Sequence, residues 1–209
     1  VSGACVYDLK QKKTLYSQAL DPGIVKKLME FGMEEGAMIH VLSERSIVQK
    51  DQQSHMADFH MGIYQTMFDQ ITDKLENIYN SFCEEPFPVL KLNLYHRDEA
   101  SRARTVERIK AAGLETALAL AESTSLECSA KGIDKGVGLK KLCEHLGLPL
   151  EQTIAVGDAD NDTMALKTAG LAVAMGNATE PIKALADVIV ADCDHNGCAE
   201  AIDKYLLAD

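Results

Sequence analysis

The stretch VGDADNDTMAL (156–166) sets three aspartates into five positions directly after an apolar run. Asp158 follows a short strand and so stands at its carboxyl end, where doubly wound sheets hold their ligands. Asp162 opens the next helix, whose free N–H groups and positive dipole end attract anions. A carboxylate at a strand end beside a helix N-terminus can hold a hard cation and a phosphate together. Mg²⁺ suits such a place, because it takes oxygen ligands and shares them with substrate phosphate. Helix capping is the competing account for any one of these acids, since Asp and Asn are favoured at helix starts. An EF-hand calcium loop matches only at its first acids. Thr163 stands where that loop needs Gly, Ala169 where it needs Glu, and a strand precedes it.

Working outward, the pattern after Lys131 alternates strictly. Helices are expected at 135–146, 162–169, 180–186 and 198–206, and short continuous apolar strands at 153–156, 171–174 and 188–190. That order is the signature of a parallel sheet in an α/β unit. The first 130 residues read differently. Strands are expected at 4–8, 14–19, 37–42, 89–95, 116–121 and 125–129. Helices are expected from Asp21-Pro22 onward, over 65–82 and over 98–112. Residues 44–63 resist assignment. The strand 89–95 (VLKLNLY) alternates as a half-buried strand does. The chain therefore divides into an α+β domain, 1–130, and an α/β domain, 131–209.

The bulk numbers set limits. With 209 residues, 46% of them hydrophobic and 25% charged, the chain can bury a sizeable core. A formal charge of −11 argues against nucleic acid or an anionic membrane as the main partner. No apolar run approaches the ~18–20 residues of a membrane span. Cys5, Cys83, Cys128, Cys143, Cys193 and Cys198 show neither CxxC pairs nor disulfide spacing, and with no export signal they read as reduced thiols in a cytoplasm. An acidic protein that handles phosphate needs a cation and local lysines. Lys135, one strand–helix step before Asp158 in GIDKGVGL, can supply a point charge at the same end of the sheet.

The residues 125–190, SLECSAKGIDKGVGLKKLCEHLGLPLEQTIAVGDADNDTMALKTAGLAVAMGNATEPIKALADVIV, closely resemble the carboxyl-terminal half of haloacid dehalogenase (HAD) superfamily phosphatases of the Cof type, subclass IIB. The resemblance implies a HAD-like doubly wound parallel sheet with an α+β cap domain. It also implies Mg²⁺-dependent hydrolysis of a small phosphorylated metabolite such as a sugar phosphate. In that family the lysine of the KG segment binds phosphate and steadies the nucleophile. The first aspartate of GDxxND binds Mg²⁺, its asparagine contacts phosphate and its last aspartate supports the metal site. Here these are Lys135, Asp158, Asn161 and Asp162, with Asp160 a solvated bystander. Residues 1–130 resemble the cap more loosely.

The same family attacks phosphorus with the first aspartate of a DxDG[TV] motif, and the sequence contains no such motif. Asp8 is the nearest candidate by shape, but Lys10 and Gln11 replace the second Asp and the Gly. Two readings of this start stand: a degenerate core, or the beginning of the cap, which the spacing from Gly3 to Lys135 favours. The cap reading implies a core lacking its first two motifs, hence an inactive chain with exposed strand edges that self-associates. A non-catalytic protein that binds phosphate ligands or partners is the alternative function. Asp192-Cys193-Asp194-His195, with Cys198, has too few close ligands for structural zinc and reads as a capping loop. His40, His55, His60, His96 and Arg97 are candidate substrate contacts, with scattered surface residues as the plainer account.

Overall fold

The computed structural model describes residues 1–121 and 124–207. Contacts divide them into two compact units: residues 18–132 with Val1, and residues 2–17 with 133–209. The sequence grouped residues 1–17 with the first domain, whereas in the structure residues 2–17 pack on the carboxyl-terminal unit. They form an antiparallel hairpin of β1 (Cys5–Asp8) and β2 (Lys13–Ser17). Backbone touching backbone explains the placement. Gly3 sits at φ +90°, and a Cβ there would fall 1.7 Å from the Asp134 carbonyl oxygen. Only glycine allows both that conformation and that approach. Asp8 closes the hairpin turn, its Oδ1 accepting from the Lys10 and Gln11 amides at 2.8 Å each.

In residues 18–132 the helix α1 (Pro22–Glu34) starts as its sequence dictates. Asp21 caps it by accepting from the Gly23 and Ile24 amides, and Pro22 occupies the first turn. Then follow β3 (Met38–Leu42), β4 (Ser46–Gln49), α2 (Lys50–Gln53), α3 (Gln65–Ile71), β5 (Asp73–Leu75), α4 (Ile78–Glu84), β6 (Lys91–Tyr95), α5 (Glu99–Ala111), β7 (Thr116–Ala121) and β8 (Ser125–Ala130). The strands make one six-stranded sheet in the order β5-β4-β3-β6-β8-β7, antiparallel except for β4 with β5.

The single helix expected over 65–82 is two helices separated by a strand. Thr72 turns extended, Asp73 to Leu75 pair with β4, and Asn77 caps a fresh helix by accepting from the Asn80 amide. Helical spacing of Met67, Ile71, Leu75 and Ile78 was coincident with two helices whose gap is filled by sheet pairing. Residues 44–63 hold β4, α2 and two 3₁₀ turns at Met56–Phe59 and Gly62–Tyr64.

The two faces of this sheet are chemically unlike. On one, Leu28, Met29, Ile39, Val41, Phe82 and Leu126 form a closed apolar core under α1 and α4. Each such side chain contributes about 1.5–3 kcal/mol by leaving water. On the other, Met38, Met56, Phe59, Met61 and Phe68 make a smaller cluster. Beside it the fold buries polar groups. β6 is buried along its whole length, Lys91 and Asn93 included, so the half-buried alternation expected for 89–95 is not what forms.

The unit made by 133–209 has α6 (Lys135–Leu146), β9 (Ile154–Gly157), α7 (Thr163–Thr168), β10 (Leu171–Ala174), α8 (Glu180–Lys183), β11 (Val188–Ile189) and α9 (Gly197–Ala201), the last continued by a π-helical turn, Ile202–Leu206. Its strands pair in parallel in the order β11-β10-β9. Leu166, Val173, Ala174, Ile182 and Val190 form the core of this unit. The alternating pattern of the sequence survives intact, with bounds shifted by a residue or a few. No helix among the described residues is long and apolar enough to cross a membrane.

His40 gives the first unit a measurable pH dependence. Burial first, and the Lys91 charge second, push its pKa down from 6.5 to about 4. The unfolded chain therefore binds a proton that the folded one refuses. This contribution is complete above about pH 6.5 and is lost as pH falls toward about 4. Over that window the parent protein should lose about 3 kcal/mol more than a His40→Asn variant in urea unfolding, following the linkage of pKa to stability. Parallel pH profiles for the two proteins would show that His40 does not carry the effect.

Candidate functional site

The loop after β9 is organised around one carboxylate. Asp162 is buried, and both of its oxygens are engaged. Oδ1 takes the Lys135 ammonium. Oδ2 accepts from the backbone amides of Asp158 at 3.0 Å and Ala159 at 3.4 Å. Burial works to raise the Asp162 pKa, but the Lys135 contact and the two amides outweigh it and hold the carboxyl below the usual aspartate range. Gly157 makes room for this arrangement. A Cβ at that position would meet the Asp162 Cβ at 2.5 Å.

Lys135 reaches the loop because it is the first residue of α6, whose start is fixed by Asp134 accepting from the Val137 amide at 2.9 Å. Lys135, Asp158 and Asp162 thus meet through a continuous set of contacts at the carboxyl end of a parallel sheet. Asn161 lies in the same short turn, half-buried, and its side chain makes no hydrogen bond among the described residues. Asp160 is exposed.

Asp158 differs from Asp162. Its side chain points to solvent and is held by Asn177, whose Nδ2 lies 3.4 Å from Asp158 Oδ2. Asn177 Oδ1 accepts from the Cys193 amide at 3.0 Å, so one amide side chain spans the loops that follow all three parallel strands. The Asp158 carbonyl in turn accepts from the Thr179 amide at 3.1 Å. Asn177 lies in MGNA, 175–178, within the stretch that carries the family resemblance, and the resemblance gives it no task. The signal available was its position just after a strand of the same sheet.

The other sequence candidates separate cleanly. Asp192 caps its own turn, its Oδ1 accepting from the Asp194 and His195 amides at 3.0 Å and facing His195 Nδ1 at 2.6 Å. His40 and His96 are buried rather than scattered on the surface. His96 is fixed between Thr105 Oγ1 at 2.8 Å and the Thr124 carbonyl at 3.2 Å. His55 and His60 are exposed, and Arg97 lies over the Phe59 ring at 5.1 Å.

The donor set fits a hard cation held mainly by other oxygens. Among the described residues no three His, Cys, Asp or Glu side chains converge on a point. Asp162 has already committed its oxygens, which leaves Asp158 as the carboxylate to offer. Mg²⁺ is commonly bound through one or two carboxylates plus substrate phosphate and water, so Asp158 with a phosphate beside it satisfies that pattern.

A family profile described as haloacid dehalogenase-like hydrolase matches residues 1–202. Phosphatase YwpJ of Bacillus subtilis is 46% identical over 83 residues, covering 40% of this chain and 29% of that protein. The chloroplastic endoribonuclease YBEY of Arabidopsis thaliana is 29% identical over 217 residues, covering 98% of this chain and 34% of that protein. The matched stretches thus amount to 29% and 34% of the length of these relatives. The solved structure of the HAD subclass IIB sugar phosphatase BT4131 superposes with a TM-score of 0.79 at 21% identity, covering 99% of this chain and 74% of that one. That likeness is one of fold: a HAD-like α/β core with a cap.

Gly157→Ala tests the clamp directly. The methyl cannot be placed without moving Asp162, so the variant should lose about 1–3 kcal/mol in urea unfolding, the range for overpacking a filled site. A variant as stable as the parent would show that the Asp162 carboxylate is not held against β9.

Proposed function

The chain belongs to the haloacid dehalogenase-like hydrolase family, and from that premise we propose that it serves in Mg²⁺-dependent hydrolysis of small phosphate monoesters, sugar phosphates foremost. The observation that carries this is the contact chain Lys135–Asp162–Asp158 at the end of a parallel sheet. Lys135 offsets phosphate charge, Asn161 contacts a phosphate oxygen, and Asp158 offers an oxygen to the cation while Asp162 fixes the loop. Bound Mg²⁺ would supply electrostatic stabilisation of the phosphoryl charge. Residues 2–17 and 133–209 serve as core, and residues 18–132 as cap.

The attacking aspartate of an aspartyl-phosphate route is not among these 209 residues, which contain no DxDG[TV]. Our reading leaves Asp8 out of that role, in keeping with its Oδ1 accepting from the two turn amides and with β1 pairing only with β2 among the described residues. A second reading, ligand binding without turnover, is favoured for the chain by itself on this ground. The proposal also sets the protein in the cytoplasm, in keeping with six free thiols.

Two measurements separate the readings. Mg²⁺ with inorganic phosphate should raise the melting temperature, and Lys135→Ala should weaken phosphate binding by about 10–100-fold, the worth of one charge-assisted hydrogen bond. p-Nitrophenyl phosphate should not be turned over by the 209 residues. Robust turnover that Asp8→Asn abolishes and Lys135→Ala spares would overturn the assignment.

The edge of β9 supports self-association as well. It pairs only with β10 among the described residues, and Ile154, Val156, Ile202 and Leu206 line an apolar groove beside it. Sedimentation should show oligomers that Val156→Lys reduces, since a charge on an edge strand blocks pairing. A concentration-independent monomer would remove this part of the proposal.

A further inference from the structure

One face of the sheet in residues 18–132 carries a row of polar side chains that the fold buries. His40 on β3, Asn93 on β6 and Glu127 on β8 stand side by side in strand register. Lys91 pairs with Glu127 at 2.6 Å, their side chains only 8% and 13% exposed. Asn93 donates from Nδ2 to the Tyr95 hydroxyl at 3.0 Å, while its buried Oδ1 has no hydrogen-bond partner among the described residues. Beside this row lies a cavity of about 260 Å³. His40, Tyr95, Ser125 and Glu127 line it from the sheet, and Met61, Tyr64, Met67 and Phe68 from the segment that covers the sheet.

Charge narrows what could enter. The Glu127 charge is offset by Lys91, and His40, buried and with its pKa near 4, is neutral at neutral pH. The walls therefore present no net charge. A phosphate or an ammonium group would lose its water without gaining a counter-charge. A polyol fails for a different reason. On the covering side Met61, Met67 and Phe68 offer no hydrogen-bond partner and Tyr64 a single hydroxyl, so most hydroxyls of a polyol facing it would go unbonded. A flat ring meets neither penalty, because its faces are apolar and its polar groups lie in one plane. The volume falls just under the roughly 300–1,000 Å³ of sites for drug-sized ligands, which leaves room for a ring system without long appendages.

We propose that this cavity binds an uncharged, planar nitrogen heterocycle of nucleobase size, its ring against Met61, Met67 and Phe68 and its N–H edge on the Glu127 carboxylate. A carboxylate can receive N–H donors in its plane, and the Lys91 ion pair at 2.6 Å fixes where it stands. The proposal is independent of the phosphatase reading. All of its residues lie within 40–127, and it is tested by binding rather than turnover.

The test uses the full chain labelled with ¹³C at the methionine methyls, titrated with adenine and with cytosine. The expected result is a saturable ring-current shift of the Met61 and Met67 methyls, with Met164 and Met175 unmoved. Inorganic phosphate and ribitol should give no saturable shift. Met67→Trp, at a position 45% exposed, should fill the cavity mouth without disturbing the buried pair. It should weaken binding, read at Met61, by at least about tenfold. Glu127→Gln should do the same, and if loss of the Lys91–Glu127 ion pair unfolds that variant, Met67→Trp decides alone. Absence of a saturable shift with both bases, equal shifts from ribitol or phosphate, or unchanged affinity in Met67→Trp would overturn the proposal.

Discussion

The carboxyl-terminal unit depends on one buried carboxylate that is satisfied on both oxygens. Asp162 joins the first residue of α6 to the turn after β9, through Lys135 on one oxygen and two backbone amides on the other. An ionised carboxylate without those partners would be costly to bury, by several kcal/mol on the usual desolvation penalty. With them it holds the turn in a single shape and leaves Asp158 and Asn161 presented at the end of the sheet. Its grip also explains why acids spaced two residues apart do different work: Asp162 faces inward, Asp158 outward to Asn177, and Asp160 into solvent.

That division was partly legible in the sequence. Three aspartates after an apolar run, with a lysine one strand–helix step earlier, carry enough chemistry to mark the place. The unequal roles expected of them rest on the family resemblance, since for any single acid the spacing alone favours capping over ligation. Asn177 stayed invisible for a physical reason. Its partners, Asp158 and Cys193, lie on separate loops that only the closing of the parallel sheet brings together. The strands expected at 4–8 and 14–19 do form, and they pair as one hairpin. Its attachment was not legible, because a glycine lying against the Asp134 carbonyl leaves no mark in hydrophobic periodicity.

Local signals fared best where local physics decides. Asp21-Pro22, Asp98 and Asp134 each start a helix with a side-chain cap, and the sequence places all three starts within a residue. Residues 65–82 went the other way. Their apolar spacing supports one long helix, but Asp73 to Leu75 gain sheet hydrogen bonds by pairing with β4, and Asn77 gives the chain a new helix start. Tertiary pairing overrode a periodicity that two short helices also satisfy.

The strand VLKLNLY shows the limit most sharply. Alternation told truly which residues share a face, and it implied wrongly that the polar face meets water. Lys91 is nearly buried, ion-paired to Glu127, in the middle of a six-stranded sheet. Stability does not account for such a pair, since replacing a buried ion pair by packed apolar residues is often neutral or stabilising. A sheet needing only a second core would have gained more from the Leu and Val residues that fill its other face. The polar row therefore reads as a surface kept for recognition, with an uncharged balance that the acidic chain as a whole, at −11, does not share. The charged contacts of Lys135 and Asp162 thus lie in one unit, and the cavity with the Lys91–Glu127 pair at its side lies in the other.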